Sequence, residues 1–194
     1  TQIVEGSYGD KTLVAIWTPT VYTITYELNG GKNNSQNIQN YTIESDTEAL
    51  LAPTRDYYDF VEWQLDGEKI TKIVKGSYGD KIITAVWTPI TYTITYQLPE
   101  GAVNNSNNPL TYTIESETIT LAEPTWKGYK FLGWRDSNDQ FVDKIIEGAH
   151  GNKKLTSTWE AIPYTISYKL NDGYVSSYNP AGYHITSETI VLNN

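Results

Sequence analysis

The chain repeats itself, and the repeat restricts its possible folds more than any single residue does. The segment Tyr22-Thr-Ile-Thr-Tyr26 returns as Tyr92-Thr-Ile-Thr-Tyr96 and again as Tyr164-Thr-Ile-Ser-Tyr168. Likewise Thr71-Lys-Ile-Val-Lys-Gly-Ser-Tyr-Gly-Asp80 is anticipated, nearly verbatim, by Thr1-Gln-Ile-Val-Glu-Gly-Ser-Tyr-Gly-Asp10. A period of about 70 residues is too long for a solenoid turn and long enough for one small domain per copy. Residues 22–87 and 92–159 are complete copies, residues 1–17 match only the end of a copy, and residues 164–194 match only its beginning. Both ends cut a unit open and Met is absent, so the chain reads as a slice of a longer protein.

A unit this small lies near the lower size limit for folding without staples. Cysteine is absent, which excludes disulfides, thiolate metal sites and a catalytic thiol. The core must then be dense in rings, and the chain carries 16 Tyr, 6 Trp and 3 Phe. A net charge of −9 argues against nucleic acid and against docking on anionic lipid. No apolar run approaches the ~18–20 residues of a membrane span, so no membrane contact is expected of this segment.

Each copy opens with strict alternation. Tyr22, Ile24, Tyr26 and Leu28 share one face, as do Tyr92, Ile94, Tyr96 and Leu98, and Tyr164, Ile166, Tyr168 and Leu170. Period two with β-branched and aromatic residues predicts a half-buried strand. A turn rich in Asn, Gly and Ser follows, and then Tyr41-Thr-Ile-Glu-Ser45 or Tyr112-Thr-Ile-Glu-Ser116 predicts a second strand, completing a long-looped hairpin. The aromatic segment comes next, Tyr58-Asp-Phe-Val-Glu-Trp63 or Gly128-Tyr-Lys-Phe-Leu-Gly-Trp134. Trp134 falls on the opposite parity to Tyr129 and Phe131 unless Gly133 marks a bulge, which is the expectation. The unit closes with Lys81-Ile-Ile-Thr-Ala-Val-Trp87, in which Ile83, Ala85 and Trp87 face inward. The best helical candidates, around Glu68–Val74 and Asp143–Ile146, allow only a turn or two. Four-residue linkers, each with a proline, join the copies and predict a semi-rigid, elongated array.

The opening Tyr-Thr-Ile-Thr-Tyr strand, the inner segment Gly128–Trp134 and the closing strand ending in Trp resemble the internalin B-repeat, also called the Listeria–Bacteroides repeat. The likeness covers both complete and both partial copies. The first copy departs from it, because Tyr57 and Glu62 stand where the pattern has Gly, so the two copies need not superpose along that strand. The resemblance implies tandem β-grasp (ubiquitin-like) units, mainly β with little helix (a small α+β class). It also implies a place in large bacterial surface proteins, as spacers or ligand-contacting modules, and no catalytic residues.

No constellation for catalysis stands out. His150 and His184 occupy positions filled by Asp80 and Thr113 in sister copies, which fits loop and strand residues better than a general base. Asp136-Ser-Asn-Asp139 lacks the spacing of a calcium loop and reads as a hairpin turn. Asn33-Asn34-Ser35, Asn40-Tyr41-Thr42 and Asn104-Asn105-Ser106 satisfy the glycosylation sequon but read as polar turn and strand residues. The recurring Trp17, Trp63, Trp87, Trp134 and Trp159 read as core. Trp126, standing where the first copy has Arg55, lies outside the pattern, as do Tyr57, Tyr174 and Tyr178. Exposed rings of this kind stack on sugars or anchor a partner, so these four are the candidate ligand-binding residues.

The expected function is a non-catalytic spacer on a bacterial cell surface, with an adhesive module for host protein or glycan as the alternative. No cofactor or metal is called for. The expected partners are neighbouring repeats of the same chain and, at the cut ends, neighbouring chains. There the rows Leu13, Ala15, Trp17 and Tyr164, Ile166, Tyr168, Leu170 offer open strand edges.

Overall fold

The computed structural model describes residues 2–193; Thr1 and Asn194, the outermost residues of the two partial copies, lie outside it. The chain divides into two compact units, residues 1–88 and 89–194. Among the described residues there is no helix.

In the first complete copy the alternating segment forms β1 (Tyr22–Glu27), whose Ile24 is buried. It pairs antiparallel with β2 (Asn40–Tyr41), Tyr22 opposite Tyr41 with ring centroids 5.6 Å apart. The short β3 (Glu48–Ala49) pairs with β6 (Lys72–Ile73) in a separate ribbon. β4 (Tyr58–Leu65) turns back into β5 (Glu68–Ile70) through Asp66 and Gly67, both at positive φ (53° and 83°). Two successive positive φ values define the type I′ turn, which only residues such as Asp, Asn and Gly adopt readily. β7 (Lys81–Pro89) completes a five-stranded sheet in the order β2-β1-β7-β4-β5. The first and last strands lie side by side and run parallel, Ile24 opposite Lys81 through Glu27 opposite Thr84.

The second copy repeats this plan with β8 (Tyr92–Gln97), β9 (Thr111–Tyr112), β10 (Ile119–Thr120), β11 (Tyr129–Arg135), β12 (Phe141–Val142), β13 (Lys144–Ile145) and β14 (Lys153–Ala161). Its sheet order is β12-β11-β14-β8-β9, with β8 and β14 parallel from Ile94 opposite Lys153 to Gln97 opposite Thr156. The third copy supplies only the opening hairpin, β15 (Tyr164–Thr165) and β16 (Gly182–Tyr183).

One core forms in each complete copy. In the first it comprises Ile24, Tyr41, Trp63, Ile73, Ile83 and Ala85; in the second, Ile94, Tyr112, Leu121, Trp134, Ile145 and Leu155. Trp63 and Trp134 sit at the centres, 2% and 1% exposed. Tyr26 and Phe60 pack on Trp63, and Tyr96 and Phe131 on Trp134, with centroids 5.1–5.5 Å apart, the tilted and edge-on spacing that ring quadrupoles favour.

The expected bulge is present, since the pairing of β11 with β14 slips between Phe131 and Gly133. Gly133 has φ 147°, and a Cβ there would fall 2.8 Å from the Phe141 ring. In the first copy Glu62 keeps the same inward–outward pattern along its strand without a positive φ, so Trp63 faces the core as Trp134 does. Lys69 stands where Phe141 stands, and its ammonium lies 3.6 Å from the Glu62 carboxylate. The copies therefore solve one position in two ways, a glycine under a ring or an ion pair.

Four expectations need correction. The predicted strands 41–45 and 112–116 stop after Tyr41 and Tyr112, because Thr42 N–H donates to Ser45 Oγ and Thr113 N–H to Ser116 Oγ, closing a turn. The helical candidates are short strands instead, since Ile70 pairs with Trp63 and Ile145 with Ile119. Trp17 is 88% exposed rather than core, while Trp87 and Trp159 are half-buried. Residues 2–17 form turns without a strand, so the open strand edge expected at Leu13, Ala15 and Trp17 is not formed, and Leu13 is 70% exposed. In the last row Tyr164 and Leu170 remain 40% and 41% exposed.

Replacing Gly133 by Glu should destabilise the second copy, and adding Phe141→Lys should recover some of the loss. A double-mutant cycle followed by urea unfolding is expected to give a favourable coupling of about 1–2 kcal/mol; a coupling near zero would mean the two positions do not exchange solutions as a pair.

A second test uses pH. Backbone and side-chain hydrogen bonds from Thr23 hold the Asp80 carboxyl below its usual range, at 2.7 and 3.0 Å. A depressed folded-state pKa contributes stability above the ordinary carboxylate range and loses it as pH falls through the folded value. In the second copy the acceptor is Asn152, which does not titrate, so Asn152 and not His150 holds the place of Asp80. An acid NMR titration should therefore move the Thr23 amide and leave that of Thr93 still. At the other extreme, burial raises the Tyr96 phenol to about 12, so its contribution is present below pH ~10 and lost as pH rises through 12.

Candidate functional site

Of the four candidate residues, Trp126 is the one that lines a concavity together with other rings. Thr125 bridges to Val103, holding the segment before β11 against the turn after β8. That turn passes beneath the indole at Gly101 (φ 83°), where a Cβ would lie 3.3 Å from Trp126 Nε1. Trp126 then stacks flat on Tyr129, centroids 3.6 Å apart and planes 9° from parallel, and meets Trp159 edge-on at 5.6 Å. Phe131 also meets Trp159 edge-on, at 5.3 Å. The rings line a shallow concavity of about 520 Å³, bordered by Glu123, Lys130 and Ile162. This shelf is apolar, with one acidic and one basic residue at its rim, and a flat apolar ligand face fits that character better than a charged group does.

The first copy builds the same platform with other chemistry. Arg55 replaces Trp126 and lies over the Tyr58 ring, 3.5 Å from its centroid, above Gly30 at φ 85°. A guanidinium plane stacks on an aromatic face much as an indole does. Trp126 is thus half-buried packing as much as it is a presented ring.

The other candidates do not join it. Tyr57, at φ 68° and 38% exposed, occupies in the first copy the place that Gly128 holds in the second. Tyr174 and Tyr178 project from the turn of the partial third copy, 99% and 84% exposed. Among the described residues no ring contact connects either to Trp126. Gly128 has its own neighbour: Ile185 of the third copy approaches so closely that a Cβ would fall 2.8 Å from its Cδ1, and the Gly128 carbonyl accepts the Ile162 N–H at 2.9 Å.

The remaining motifs are absorbed by structure. Asp136 Oδ1 accepts the N–H groups of Asn138 and Gln140, both at 2.9 Å, which makes the Asp136–Asp139 segment a side-chain-capped hairpin turn. Asn33 and Asn104, first residues of two sequons, accept from Asn37 and Asn108. Among the described residues no three His, Cys, Asp or Glu come together as a metal site.

Asn37 and Asn108 are structural residues that sequence reading missed. Both are buried amides, 6% and 5% exposed. Asn37 accepts the Leu51 N–H at 2.7 Å and donates to the Leu51 carbonyl at 2.9 Å, imitating a strand partner; Asn108 does the same with Ala122. Asn179 repeats the pair of bonds with Asn193. The signal was present in the recurrence of Asn37, Asn108 and Asn179 within turns that otherwise vary.

Residues 22–85 and 92–150 match the family model described as the Listeria-Bacteroides repeat domain, and the chain belongs to that family. The internalin B-repeat is a different family, and the match does not extend to it. Two proteins of Evansella cellulosilytica are similar to this chain. One, provisionally named a membrane protein, is 31% identical over 183 residues, covering 87% of this chain and 26% of that protein. The other, provisionally named a Gly-rich membrane protein, is 27% identical over 174 residues, covering 83% of this chain and 19% of that protein. The chain therefore spans a minor share of either relative. No solved structure matches it.

The paired platforms predict an asymmetry between substitutions. Trp126→Ala should lower the stability of the second copy by about 1–2 kcal/mol through lost stacking and burial. Trp126→Arg, which installs the first copy's solution over Tyr129, should cost less than half as much in the same denaturation measurement. Equal losses would show that the two platforms are not equivalent.

Proposed function

We propose that this chain is a run of non-catalytic spacer repeats in a bacterial cell-surface protein, holding a functional domain away from the cell. The observation that supports this reading is where the two complete copies agree. The core positions recur, Ile24 and Ile94, Tyr41 and Tyr112, Trp63 and Trp134, Ile73 and Ile145, and exposed groups that recur include Thr47 and Thr118, which accept the Lys75 and Glu147 N–H groups. The positions that differ carry the surface chemistry, as in Arg55 against Trp126, Tyr57 against Gly128 and Lys69 against Phe141. Selection for a spacer holds the core and the groups that close its turns, whereas selection for a ligand would hold one shared exposed patch, and the ring shelf differs between the copies. An extracellular location accords with the surface proteins in which such repeats recur and with the provisional names of the two relatives. The strand order, with parallel first and last strands at the centre, supports a helix-free version of the β-grasp.

A second reading, an adhesive module for host protein or glycan, draws on the Trp126–Tyr129 shelf over its 520 Å³ concavity. The two separate in a binding screen of the full chain against glycans and extracellular-matrix proteins, with Trp126→Arg alongside. The spacer reading expects no saturable binding from folded protein. A saturable hit that weakens at least tenfold in Trp126→Arg would replace it with the adhesive one and locate the site.

A further inference from the structure

We infer that each complete repeat is a shear clamp, a unit whose topology makes it resist tension applied along the chain. The chain enters the first copy at Tyr22, the start of β1, and leaves it at Pro89, the end of β7. These two strands are adjacent and parallel, so the entry and exit points sit at opposite ends of one ladder. Tension along the chain then drags the strands past each other. Every bond between them lies across the direction of sliding, and the bonds share the load and must break together. An antiparallel pair pulled from its open end would instead unzip bond by bond. The second copy has the same geometry between β8 and β14.

Side chains reinforce this one pair of strands at both ends. Before the first paired residues, Asp80 accepts from the backbone and hydroxyl of Thr23. At the far end, Thr84 Oγ1 donates to Glu27 Oε2 at 3.0 Å, and Trp87 Nε1 donates to the Leu28 carbonyl at 2.9 Å. The second copy substitutes chemistry but keeps the placement: Thr93 N–H donates to Asn152 Oδ1 at 2.9 Å, and Ser157 Oγ to the Gln97 carbonyl at 3.1 Å. With no cysteine in the chain, nothing covalent shares the load. Forced rupture is governed by the barrier to unfolding rather than by net stability, so a unit of modest stability can still hold under load.

The clamp gives the spacer reading its mechanical content and rests on that reading only for its purpose, that the array transmits tension. The test is single-molecule force spectroscopy on the full chain, with cysteines added at the two termini for attachment. Two rupture events are expected, each releasing on the order of 200 Å of chain. Attachment through Lys130→Cys and Glu160→Cys, which face each other across β11 and β14, pulls the second copy from an open end. At equal loading rate the end-to-end ruptures should need at least twice the force of that peeling geometry. Equal forces in the two geometries would overturn the clamp. The double variant Glu27→Ala/Asp80→Ala should lower one of the two end-to-end events and leave the other in place. If neither event shifts, the loaded pair is not β1 with β7. A chain that ruptures at high force yet binds a glycan saturably keeps the clamp and loses the spacer, and weak rupture without binding does the reverse.

Discussion

Each copy depends on pairing its two most distant segments. Thr23 and Asp80, joined by hydrogen bonds, are 57 residues apart in sequence, and everything between them is organised by that closure. A parallel pair needs a long connection, and here β2 to β6 form it. β2 covers the free side of β1, β4 covers the free side of β7, and the ribbon of β3 with β6 lies outside the sheet. The core side chains come from both closing strands and from the crossover, with Ile24, Ile83 and Trp63 in one cluster. A unit without disulfides or helices has little else to draw on, which explains the density of rings around Trp63 and Trp134.

The buried asparagines serve the same closure from inside the loop. Asn37 lies in the long turn between β1 and β2, yet its amide pairs with the backbone of Leu51, whose carbonyl also accepts the Trp63 indole N–H at 3.0 Å. One carbonyl thus joins the turn, the crossover and the central ring. A buried amide satisfied at both ends rigidifies, whereas losing it would leave the Leu51 amide unpaired in the interior.

Much of this was legible in the sequence, and the reasons it was legible are specific. Tyr22 to Leu28 and Lys81 to Trp87 announce themselves by period two, and the bulge at Gly133 follows from the parity of Phe131 and Trp134. The Listeria–Bacteroides repeat was readable from the same segments, although the internalin B-repeat equated with it is a different family. What failed was local competition: five alternating residues from Tyr41 to Ser45 look like a strand, but the Thr42 and Ser45 side chains capture the backbone first. Trp126 looked irregular because the comparison was by residue type, whereas Arg55 over Tyr58 meets the same packing need. Trp17 shows the limit from the other side, since it ends the same motif as Trp87 yet is 88% exposed, in a segment that forms no strand.

The recurrence that builds the array also makes its segments interchangeable while they fold. β1 could close on β14 as well as on β7, since Asn152 offers Thr23 the same kind of acceptor that Asp80 does. Chain length discriminates weakly between the two, because each doubling of a closed loop adds roughly 0.6 kcal/mol of entropy loss. Fidelity must then come from fit, such as Ile83 and Ala85 in one closing strand against Leu155 and Ser157 in the other. It must also come from order of events, because a copy that closes as soon as its own last strand exists leaves no free partner for its neighbour. An array of units with one shared plan is therefore safest when made one unit at a time, as it is when a chain emerges from synthesis.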